Sequence, residues 1–159
     1  MVSGGALTSN QLYQIKAPID LAPALCLWLN SVWVIIHLLQ TRAETEGAFS
    51  DILLEQIPLI PVPDRRVIEE RSTEWNDLAL EMGNKSFPSL REQFRSRQPT
   101  RLKLDHGVLR LLSGMRKLST EMVEMLDEVY DRLADELEAM KESVTVSRKD
   151  SHEVEMFPE

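Results

Sequence analysis

LDHGVLRLLSGMRKLSTEMVEMLDEVYDRLADELEAM, residues 104–140, is the stretch whose reading decides the fold class. Its apolar residues Leu104, Val108, Leu111, Met115, Leu118, Met122, Leu126, Val129, Leu133, Leu137 and Met140 advance 36 positions in ten steps. The mean step of 3.6 is the period of an α-helix with one buried face. A coiled-coil seam would average about 3.5. The segment therefore reads as one long helix, Leu104–Met140, packed in a bundle. Gly107 and Gly114 each weaken its start by roughly 1 kcal/mol relative to alanine, or else let a neighbouring helix come close. The acidic residues Asp127, Glu128, Asp131, Asp135, Glu136 and Glu138 read as its solvated face.

Beyond Ser143 the sequence VTVSRKDSHEVEMFPE is polar and carries no helical period, so residues 143–159 read as a flexible acidic tail. Upstream, Ser86–Arg97 holds a short helix ended by Gln98-Pro99. Arg65–Met82 reads as a helix capped by Asp64 and stopped at Gly83-Asn84, with Ile68, Trp75, Leu78 and Met82 on one face. Between lies IPLIPVPD, residues 57–64. Three prolines there exclude a helix interior and predict an extended connector.

Toward the amino end, Ala24–Thr41 reads as a single helix by its length, although Val32, Val34, Ile35 and Ile36 favour strands. It is apolar almost all round and should be buried on most sides. RAETEGAF, Arg42–Phe49, is a polar break containing a glycine, and a short helix over Phe49–Gln56 follows. Ser9 caps a segment Asn10–Lys16, and residues 1–8 read as loose. The expected architecture is all-α. It is a bundle over residues 9–142 built from three long or broken helices of the four-helix-bundle type.

Composition narrows the function classes. The chain has 159 residues, which suits one domain, and 43% of them are apolar, which suits a packed core. A net charge of −8 argues against nucleic acid and anionic membranes as partners. Leu21–Leu39 approaches a membrane span in length, but Pro23, Asn30, Ser31 and His37 interrupt it, and a buried helix is the preferred reading. Cys26 stands alone, which excludes an internal disulfide, points to the cytoplasm or nucleus, and reads as a buried small hydrophobe.

None of His37, His106 and His152 has metal-ligand spacing with another histidine or with Cys26. His37 reads as a satisfied buried histidine, and His106 as a surface residue at a helix start. No nucleophile elbow or phosphate-cradling glycine loop is present, so the expectation is a non-enzyme without metal or cofactor. The positive cluster Arg91, Arg95, Arg97, Arg101 and Lys103 reads as an intersubunit salt-bridge surface. Trp28 and Trp33, added to the other apolar residues, exceed what a domain of this size readily buries, which implies oligomerisation.

Several residues in fixed order resemble the proteasome activator REG family, the eleven-S regulators. Trp33-Val34 leads through Leu38-Leu39 to Arg42, and Glu44, Glu46, Gly47 and Ala48 follow. Phe49 falls seven residues after Arg42 and Glu55 six further on, as in the family's loop. GALTSNQ at Gly5–Gln11 is similar to the approach to the family's second helix. Phe87-Pro88 is similar to an aromatic-proline corner, and Leu109-Arg110-Leu111, centred 22 residues after Pro88, leads to Arg116 and the terminal helix.

The resemblance spans roughly residues 5–137. It implies four-helix-bundle subunits in a heptameric ring that caps the alpha ring of the twenty-S proteasome. It implies an activation loop at Arg42, Glu44, Glu46, Gly47, Ala48 and Phe49, and docking by the tail residues Met156, Phe157, Pro158 and Glu159. Trp28, Trp33, Arg110 and Arg116 become oligomer-interface candidates. The family's first helix has no counterpart here, its Asn-Asn pair is replaced around Gly47-Ala48, and IPLIPVPD interrupts a helix that is continuous in the family. The alternative is a helical scaffold subunit of another intracellular complex, of replication or kinetochore type, and less favoured again a single-span membrane protein.

Overall fold

The computed structural model describes the backbone of residues 17–41, 43–44, 50–51 and 58–154, and side chains for 17–41 and 58–140. The described chain is predominantly helical. Helix α1 is Ala22–Leu29, α2 Val32–Thr41, α3 Arg65–Glu70, α4 Ser72–Gly83, α5 Leu90–Arg95, α6 Pro99–Ser113 and α7 Thr120–Val154. Strands β1, Ala43–Glu44, and β2, Ser50–Asp51, form one antiparallel pair with Ala43 opposite Asp51 and Glu44 opposite Ser50. Part of the helix expected over Phe49–Gln56 is thus strand, and the rest lies outside the described residues, as do residues 1–16.

Three helices expected to be continuous are broken. The run Ala24–Thr41 divides into α1 and α2, which meet at 57°. Asn30 turns its side-chain amide back onto the Cys26 carbonyl at 2.8 Å, so this polar residue competes with the helix ladder and ends α1. The segment Arg65–Met82 divides at Arg71, whose φ of −127° and ψ of 27° lie outside the helical region.

The decisive helix, Leu104–Met140, divides into α6 and α7. Gly114 takes φ +72°, the left-handed conformation that terminates helices, and Arg71 donates to its carbonyl at 2.6 Å. The 3.6-residue stripe continues past Gly114 in sequence, but Met115 is 43% exposed and belongs to neither core. At the other end α7 continues to Val154, beyond Ser143 where the lost period had suggested an end.

Other readings hold. The Asp64 carboxylate accepts the Arg66 N–H at 2.7 Å and caps α3. Ile68, Trp75, Leu78 and Met82 are all buried, as are Leu104, Val108 and Leu111. These residues, with Ala24 and Leu27, make one core between α1, α3, α4 and α6. Gly107 permits that packing: a Cβ there would lie 2.6 Å from Leu78 Cδ2. A second core joins Val32 of α2, Phe94 of α5, and Leu126, Tyr130 and Leu133 of α7. Trp33 packs against both.

Candidate functional site

The most heavily bonded side chain in the described residues is Asp105, fully buried where the two cores meet. Its carboxylate accepts Arg101 Nε at 2.7 Å and Arg101 Nη2 at 3.0 Å, a two-pronged pair one helical turn apart on α6. The Tyr130 hydroxyl donates to it from α7 at 2.5 Å, and the Val32 N–H donates from the start of α2 at 2.8 Å. The Arg101 guanidinium lies 5.2 Å above the Phe94 ring, which in turn meets Tyr130 edge-on at 5.2 Å.

Burial pushes the Asp105 carboxyl up, opposed by the Arg101 charge, the Tyr130 hydroxyl, the Val32 N–H and the Arg101 hydrogen bonds. Burial and the neighbouring Asp105 charge raise Tyr130 well above the ordinary phenol range. The tyrosine is thereby held as a donor. Arg101, Asp105 and Tyr130 tie four helices together and present no reactive group to solvent, so this centre positions the surfaces around it.

Sequence reading missed Asp105 and Tyr130. The available signal was an Arg–Asp pair at i and i+4 on the same face as Leu104 and Val108, where a solvated ion pair does not belong.

The basic cluster is accounted for within the chain, which corrects the intersubunit reading. Arg91 pairs with Glu138 at 2.7 Å and Arg95 reaches the same carboxylate at 3.6 Å. Arg97 pairs with Asp127 at 3.2 Å and Asp131 at 2.8 Å, Arg101 with Asp105, and Lys103 with Glu81. The acidic residues Asp127, Asp131 and Glu138 of α7 are therefore partners of the loop and helix carrying those arginines, and α7 lies along α5.

A groove of about 510 Å³ opens between α4, α6 and the segment leading into α7. Glu74 on its wall pairs with Arg110 at 3.0 Å. His106, which lies within α6 and not at a helix start, lines the same groove. Arg116 and Lys117 stand on its rim with no ion pair among the described residues.

The four interface candidates separate. Trp28 is half-buried and donates its indole N–H to the Pro61 carbonyl at 2.6 Å, which pins the proline connector against α1. Trp33 is half-buried between the cores, Arg110 is engaged by Glu74, and Arg116 is exposed. Of the activation-loop candidates, Glu44 lies in β1, opposite Ser50. Arg42, Glu46, Gly47, Ala48 and Phe49 lie outside the described residues, as do the docking candidates Met156, Phe157, Pro158 and Glu159.

Cys26 is exposed and not buried as expected. His37 is half-buried, and its enclosed Nε2 has no hydrogen-bond partner among the described residues, so it is not the satisfied histidine the sequence suggested.

Helix α2 reads VWVIIHLLQT, yet only Val32 and Val34 are buried. Trp33, Ile35, Ile36, Leu38 and Leu39 are half-buried, and all but Leu38 touch one core or the other. No single described helix is long and apolar enough to cross a membrane; α1 and α2 pass such a test only as a bent pair. No family description, no curated protein and no solved structure matches the chain.

Proposed function

We propose that this chain is a non-catalytic helical subunit that works by binding other protein chains, including further copies of itself. The observation that carries the reading is α2. A helix apolar on every side is ordinarily buried on every side, and here five large apolar residues of α2 remain half-buried. Covering them with a partner removes that surface from water at about 25 cal/mol per Å².

The resemblance described above narrows the partner to the alpha ring of the twenty-S proteasome, with the chain as one subunit of a homo- or hetero-oligomeric ring in the cytoplasm or nucleus. In that form the segment Arg42–Phe49 acts on the gate, residues 156–159 dock, and no cofactor takes part. The test is stimulation of peptide hydrolysis by the twenty-S particle. Phe49→Ala and Gly47→Asn should change activation while leaving assembly intact; loss of both together points to a plain structural loop.

One observation favours the second reading, a helical scaffold subunit of a different complex. Ala43–Glu44 pairs antiparallel with Ser50–Asp51, so the described residues on either side of the stretch that the resemblance reads as an activation loop are tied to each other as a strand pair. A stable complex with another partner, together with no effect on the proteasome, selects this reading.

A further inference from the structure

Between Gly114 and α7 the chain leaves the helix for five residues, Met115-Arg116-Lys117-Leu118-Ser119. Met115, Arg116 and Lys117 are exposed, and Leu118 and Ser119 are half-buried. Eight other basic residues, Arg65, Arg71, Arg91, Arg95, Arg97, Arg101, Lys103 and Arg110, are held in ion pairs, while Arg66, Lys85 and Arg132 have none among the described residues. Arg116 and Lys117 have none among the described residues. Their place is what matters: three and two residues before a serine hydroxyl, on an irregular, solvent-facing stretch.

A protein kinase binds its substrate as an extended segment and brings one hydroxyl to the γ-phosphate of bound ATP. Kinases of the basophilic class select that hydroxyl with acidic groups that take cations just upstream of it. A helix curls those upstream side chains away from an extended binding cleft; the 115–119 linker does not.

We propose that Ser119 is a phosphorylation site for a basophilic serine/threonine protein kinase. Ser119 Oγ attacks the γ-phosphorus of ATP, and the bond from that phosphorus to the β–γ bridging oxygen breaks. The hydroxyl proton passes to the kinase's catalytic aspartate, and ADP leaves. The product suits its surroundings. Ser119 Oγ already accepts the Met122 N–H at 3.3 Å, and its carbonyl accepts the Val123 N–H, so the serine caps α7. A phosphate there meets the positive end of the helix dipole beside Arg116 and Lys117. Glu121 in the first turn opposes it. The modification would place new negative charge at the mouth of the groove that Arg116, Lys117 and Leu118 line.

The chain carries its own control. Arg148-Lys149-Asp150-Ser151 repeats the same spacing, but inside α7. The experiment treats the folded full-length protein with magnesium ATP and the catalytic subunit of the cyclic-AMP-dependent protein kinase, and maps phosphate by tandem mass spectrometry over time. Ser119 should be modified, and faster than Ser151. Ser119→Ala should remove that phosphate. The Arg116→Ala/Lys117→Ala double variant should slow its addition about tenfold or more with an unchanged circular dichroism spectrum. No phosphate on Ser119, phosphate on Ser151 first, or a rate indifferent to Arg116 and Lys117 would each overturn the assignment.

Discussion

The carboxylate of Asp105, in the middle of α6, accepts the first backbone N–H of α2, that of Val32, at 2.8 Å across 73 positions of sequence. Ser31 immediately precedes Val32, yet its hydroxyl has no partner among the described residues. The cap of α2 is therefore supplied by tertiary structure. Arg101 neutralises the capping carboxylate and Tyr130 donates to it, so one buried anion sets the mutual placement of α2, α6 and α7.

Removing that anion should be costly. Asp105→Asn keeps a side-chain acceptor but leaves the buried Arg101 guanidinium without a counter-charge, and breaking such a pair costs about 3–5 kcal/mol. Urea denaturation should show an unfolding free energy lower by that amount. The double variant Arg101→Met/Asp105→Asn should be more stable than Asp105→Asn alone, because it also removes the orphaned charge.

Tyr130→Phe should cost about 1.5–3 kcal/mol, the range for a hydrogen bond to a charged group. It should also change the alkaline limb of stability. The folded chain holds the Tyr130 proton beyond the pH of about 10 at which an unfolded chain releases it. The unfolded state then binds fewer protons than the folded one. The contribution is complete below pH ~10 and is lost as the pH rises further. Denaturation midpoints between pH ~8 and pH ~11 should fall less steeply in Tyr130→Phe than in the parent.

Gly114→Ala separates two accounts of residues 104–140 by its sign. In a continuous helix, alanine would stabilise by about 1 kcal/mol. With Gly114 at φ +72°, alanine should destabilise by about 1–2 kcal/mol, since a Cβ is strained in the left-handed region. Thermal melts of the two proteins decide between them.

That contrast also marks how far the fold was legible in the sequence. Periodicity found the buried faces: Ile68, Trp75, Leu78 and Met82 on α4 and its neighbour, Leu104, Val108 and Leu111 on α6. It could not register the break, because Met115 and Leu118 fall in phase with the helical stripe while the backbone between them is not helical. Asn30 and Ser31 were visible as polar residues in an apolar run, but the bend they make is completed by Asp105, which is remote in sequence. Arg101 was placed in a surface patch because the patch is contiguous in sequence. Its burial depends on Phe94 and Tyr130, which only tertiary packing brings over it.

Arg97→Ala should matter little. Its pairs with Asp127 and Asp131 are open to solvent, and such bridges contribute little and weaken with salt. A stability difference from the parent that shrinks between about 0.05 M and 0.5 M sodium chloride is the expected result.

The partly covered face of α2 is the basis for reading this chain as a binding subunit, and Leu38 is its large apolar residue that packs against neither core. Light scattering of the purified protein, alone and with the twenty-S proteasome, tests that reading most directly, with Leu38→Gln beside it. The account predicts a mass several times the 18.2 kDa of one chain, reduced in Leu38→Gln without loss of helical content, and co-migration with the particle. A protein that stays at 18.2 kDa in both settings, with Leu38→Gln indistinguishable from the parent, would contradict it.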